Sequence, residues 1–82
     1  MRRLEMSDAF ALVLRKCRKG NGCSQELLAE KADLHPTYIG LLERGLRNPS
    51  LNVAEALARG LGVPLAVLIK EAETLKRRSE SA

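Results

Sequence analysis

The chain has 82 residues and carries 14 Lys and Arg against 10 Asp and Glu, a formal charge of +4. That length holds one core, since domains run to roughly 100–200 residues, and the 45% of hydrophobic residues argues against disorder. Phe10 and Tyr38 are the whole aromatic content, too little to stack unpaired bases, and no apolar run approaches the ~20 residues that span a bilayer, so single-strand RNA binding and membrane insertion are set aside.

Five helices and no strand are predicted. The first covers about Ser7 to Lys19: Ser7 is placed as its cap, and Phe10, Val13, Leu14 and Cys17 recur with the spacing of one helical face. Its other face carries Arg15, Lys16 and Lys19, and residues 1–22 together hold the whole +4 excess. Such bases either solubilise a face or meet an anionic partner. Gly20, Asn21 and Gly22 end the helix. Cys17 and Cys23 stand where small apolar residues belong and are read as core thiols in a reducing cytoplasm rather than redox sensors. With the single His35 they cannot supply the four ligands of a structural zinc site, and no metal or cofactor is expected.

Ser24 caps the second helix, which runs to about Lys31 with Leu28, Ala29 and Ala32 inward. His35 caps the third and Pro36 opens it, where the missing N–H of proline costs nothing. Gly45 ends it. The fourth, capped by Ser50, puts Leu51, Ala54, Leu57, Ala58 and Leu61 on one stripe up to Gly62. Pro64 starts the fifth, which is more apolar than one stripe requires, and residues 76–82 read as a fraying tail after a domain of residues 1–75.

The informative stretch is Ser24 to Glu43. Counting Gln25 as first, Ala29 stands fifth, Asp33 ninth, Ile39 fifteenth and Leu42 eighteenth. Two short helices joined by a tight turn need a small residue where they approach, a turn residue that tolerates positive φ, and branched apolar residues pointing back. That is helix-turn-helix spacing, although a plain αα-hairpin would satisfy the same sterics.

Residues Arg15-x-x-Arg18, Gly22-x-Ser24-Gln25-x-x-Leu28-Ala29, Tyr38-Ile39, Glu43-Arg44-Gly45 and Arg47-Asn48-Pro49-Ser50-Leu51 together resemble the Cro/CI-type (XRE) helix-turn-helix family. Within it they are most similar to the small controller proteins of restriction–modification systems. The resemblance implies a compact, all-α, lambda-repressor-like domain of five helices, with the helix-turn-helix at helices 2 and 3. It implies a homodimeric transcriptional regulator that binds near-palindromic double-stranded DNA, with no effector evident. An antitoxin-like protein that also holds a toxin, or a pure protein-interaction module on the same fold, are the other readings.

In such a domain the recognition helix enters the major groove and the preceding helix crosses the backbone. Gln25 would then meet a phosphate, and Thr37 and Tyr38 would reach base edges or phosphate. Pro36 and Leu41 would offer apolar contacts, with Gly40 leaving room for close approach. Arg47 and Asn48 in the following loop, and Arg15, Lys16 and Lys19 on the first helix, are further candidates for the backbone. Arg18 and Glu43 match positions that pair across the fold in this family and are assigned to structure. Dimerisation would use Val63, Leu65, Leu68, Ile69 and Ala72.

The chain departs from the family pattern in three places: Asp33 replaces the usual turn glycine, His35 replaces the usual Ser or Thr cap, and the recognition helix lacks Gln, Asn or Arg for bidentate base contacts. Specificity therefore falls on few polar contacts and on DNA shape. No Ser/His/Asp or Cys/His grouping points to catalysis, and an enzyme is not expected.

Overall fold

The computed structural model describes residues 4–81, which form five helices and, among these residues, no strand: α1 (Met6–Gly20), α2 (Gln25–Ala32), α3 (Pro36–Glu43), α4 (Leu51–Leu61) and α5 (Leu65–Ser81). Residues 1–3 of the expected domain and Ala82 of the expected tail lie outside them.

The helix boundaries follow from the caps. Ser24 Oγ accepts from the Leu27 backbone N–H at 3.0 Å, and Ser50 Oγ from that of Val53 at 3.1 Å, each satisfying one of the donors a helix start leaves free. His35 does the same with a ring nitrogen, Nδ1 accepting from Thr37 N–H at 3.1 Å. Helix α1 begins two residues earlier than the Ser7 cap implied. Glu5 occupies the capping position, and Asp8 Oδ2 reaches back to accept from the Glu5 backbone N–H at 3.1 Å, the reciprocal half of a capping box. Asp33 ends α2 in the left-handed conformation (φ 57°), where its short polar side chain substitutes for glycine.

A second boundary also moves. Residues 76–81, read as a frayed tail, continue α5. The Lys and Arg residues there are good helix formers, Lys76 Nζ pairs with Glu80 Oε2 one turn later at 2.9 Å, and the Leu4 backbone N–H donates to Ser79 Oγ at 3.4 Å. The last turns of α5 thus have a partner at the start of the chain.

Leu14, Leu28, Ile39, Leu42, Leu57 and Leu68 fill the core, with the small residues Ala9, Ala29, Ala54, Ala58 and Ala72 between them. Each fully buried Leu or Ile contributes about 1.5–3 kcal/mol over its exposed state. α1 packs along α5, while α2 packs on α4 and α3; α3 also touches α1, which closes the ring of helices around this core. The α2–α4 crossing is tight. A Cβ built on Gly60 would stand 2.9 Å from Leu28 Cδ1 and 3.4 Å from Lys31 Cβ, so any side chain there requires the buried Leu28 to shift. Leu51 leaves the stripe predicted for α4: at the first helical position it projects past the core and is 78% exposed.

Candidate nucleic-acid interface

Helix α3 is held by its back. Ile39, Leu42 and Glu43 are buried, and Tyr38 is half-buried with its ring against the core cluster. The opposite side carries the exposed Thr37, flanked by half-buried Pro36, Gly40 and Leu41. Arg47 and Asn48 are exposed in the loop that follows, and Arg15, Lys16 and Lys19 are exposed on α1. Arg44 is exposed but folds back so that its Nε donates to the Gly40 carbonyl at 3.3 Å.

Beneath α3 lies a buried polar cluster. Arg18 Nε and Nη2 donate to the two oxygens of Glu43 at 2.6 and 3.0 Å, a bidentate pair, and Nη1 donates to the Cys23 carbonyl at 2.8 Å. The bond to Glu43 pushes the Arg18 guanidinium above its ordinary range, against the opposing effect of burial. Both residues are under a tenth exposed, so the pair ties α1 to the C-terminal end of α3 in a low-dielectric setting.

Gln25 joins this cluster, a partnership the sequence did not signal. Its Nε2 donates to Glu43 Oε1 at 3.0 Å, with the amide lying over Gly40, whose Cβ, if present, would sit 3.7 Å from Gln25 Oε1. Gly40 therefore gives room to Gln25 as well as to anything approaching from outside. One amide N–H is committed to Glu43; the second N–H and Oε1 remain for a ligand. The start of α2, the end of α3 and α1 are thereby fixed to one another through a single carboxylate.

The expected subunit face needs correction. Leu68 and Ala72 are 0% exposed and belong to the chain's own core, leaving no surface for a partner. Val63, Leu65 and Ile69 are half-buried. Leu12, Leu27, Leu46, Leu51 and Val67 are the exposed large apolar residues among those described, and of these Val67 lies on α5 while Leu51 lines a groove with Met6, Phe10, Pro49 and Ile69 between α1, α4 and α5. Of the thiols, Cys23 is buried and Cys17 half-buried, and burial, followed by the nearby Glu71 carboxylate, pushes the Cys17 thiol up. Among the described residues no group of three His, Cys, Asp or Glu could hold a metal ion and no single helix is long and apolar enough to cross a membrane.

Helices α2 and α3 thus form a helix-turn-helix pair with one face locked inward and the other open, and residues 14–68 match the helix-turn-helix family model. The chain belongs to this family of DNA-binding transcriptional regulators, of the Cro/CI (XRE) type. It is 38% identical over 66 residues to the control protein C.SmaI of Serratia marcescens, covering 80% of this chain and 79% of that one. It is 37% identical over 68 residues to the immunity repressor of Bacillus phage phi105, covering 83% of this chain but only 46% of the repressor, so the chain spans about half the length of that relative. The crystal structure of the restriction–modification controller protein C.AhdI from Aeromonas hydrophila superposes with a TM-score of 0.74 at 39% identity, covering 76% of this chain and 94% of that one.

Proposed function

We propose that two copies of this chain bind duplex DNA of near-palindromic sequence and regulate transcription from it in the cytoplasm, in the manner of a restriction–modification controller protein. The observation that carries this reading is the attitude of α3: Ile39 and Leu42 anchor it while Thr37 stands in solvent at its first turn, with Arg47 and Asn48 exposed in the next loop. A helix so held can enter a major groove, since the groove admits one helix diameter and the anchored side never has to leave the core.

In this arrangement Thr37 and the Tyr38 hydroxyl reach base edges, and Pro36, Gly40 and Leu41 make close apolar contact. Gln25 presents its remaining amide N–H to a phosphate, where the start of α2 favours an anion. Arg47 and Asn48 meet the backbone beside the groove, and Arg15, Lys16 and Lys19 add counter-charge along α1. Two recognition helices about 34 Å apart would read the two half-sites. The subunits would meet through the apolar surface that remains around Val63, Leu65 and Ile69, extended by Leu51 and Val67. The names of the relatives, an immunity repressor and control proteins, support regulation rather than the toxin-holding alternative.

The division of labour is testable by salt titration of duplex binding. Arg47→Ala should weaken binding to every sequence and reduce the slope of log K against log salt by about one unit, whereas Thr37→Ala should relax preference at one base pair with the slope unchanged. Identical effects of the two substitutions would contradict these roles.

A further inference from the structure

The cap of α3 fixes more than the helix start. Because Thr37 N–H donates to His35 Nδ1 at 3.1 Å, that nitrogen carries no proton, and the neutral ring must hold it on Nε2. The same bond sets the direction of the ring. The two nitrogens diverge across the imidazole, so an Nδ1 turned onto the helix backbone turns Nε2–H away from it. His35 is exposed, and among the described residues no acceptor takes the Nε2 proton. Around it Pro36, Gly40 and Leu41 offer no side-chain donor, and the guanidinium of Arg44, whose Nε donates to the Gly40 carbonyl, belongs to the far end of α3. The outward Nε2–H is the one side-chain N–H at the first turn of the recognition helix.

We infer that His35 contacts the DNA directly, its Nε2–H donating to a hydrogen-bond acceptor there. On a base edge the acceptors are purine N7, guanine O6 and thymine O4, and a fixed donor disfavours cytosine, which shows only the N4 donor in the major groove. A phosphate oxygen offers the same chemistry without sequence information. The capping bond pre-orients the ring, so less rotamer freedom is lost on binding. This inference rests on the DNA-binding reading above.

The test separates the cap from the outward donor. Serine is among the best capping residues but too short to reach a groove, so His35→Ser keeps the first role and removes the second. With a duplex selected by the unaltered protein, His35→Ser should retain the helix content and unfolding temperature yet bind about three- to tenfold more weakly. A loss that depends on the base at one position identifies a base edge, and a loss equal across all duplexes identifies a phosphate. Nitrogen-15 NMR of the unaltered protein gives a second readout: the free protein should show the Nε2–H tautomer, and added duplex should shift Nε2. An Nδ1–H tautomer, or unchanged affinity in His35→Ser, overturns the inference while leaving DNA binding intact. Failure of the unaltered protein to bind any duplex at low salt would overturn the DNA-binding reading first.

Discussion

Removing the Arg18 guanidinium would leave Glu43 with only Gln25 to satisfy a buried carboxylate, and the cost of such an orphaned charge exceeds what the intact pair contributes. Arg18→Met is therefore expected to lower unfolding free energy by about 3–5 kcal/mol in urea titration, whereas a loss within the range of a surface pair, below about 1 kcal/mol, would show that the carboxylate finds solvent. The pairing of Arg18 with Glu43 follows from the resemblance to the family, but the third member does not. Gln25 and Glu43 are 18 positions apart, and their contact depends on how the Asp33 turn folds α3 back across α2. No one-dimensional pattern encodes that distance. Leu68 and Ala72 show the converse limit: helical periodicity put them on an apolar face, but a face wide enough for both a core and a partner does not say which of its residues go where.

At the scale of elements, all five helices were legible because each start carries a capping side chain or a proline and most ends carry a residue suited to positive φ. The boundaries that moved did so for reasons outside the local pattern. Glu5 and Asp8 completed a capping box ahead of Ser7, and Leu4 supplied α5 with a distant partner near Ser79. Gly60 was equally unreadable, since a glycine inside a helical stripe signals nothing until its neighbour is known. Placing a branched side chain there is expected to force Leu28 and the backbone of α2 apart. Gly60→Val should cost about 1–3 kcal/mol, the range for overpacking, measurable as a lower unfolding midpoint. An unchanged or raised midpoint would mean that α2 and α4 can separate freely, contrary to the contact at Leu28.

Over the whole molecule, the excess positive charge, the open front of α3 and the uncovered apolar residues Leu51 and Val67 are three surfaces that one small core leaves unsatisfied. A duplex and a second copy together would satisfy them. Charge sum and apolar surplus were visible in composition and periodicity, whereas the outward attitude of Thr37 came only through the family resemblance, because it depends on Ile39 and Leu42 being drawn into a core built from all five helices. The central claim, that two such helices read one duplex from the same side, makes spacing the decisive variable. Affinity should be compared for a selected near-palindromic duplex and for the same duplex lengthened by about five base pairs between its halves, roughly half a helical turn. Each half-site stays intact, but the insertion carries one to the opposite side of the duplex. The expected result is a fall in affinity toward that of unrelated sequence, about a thousandfold or more; equal binding to both duplexes would contradict the account.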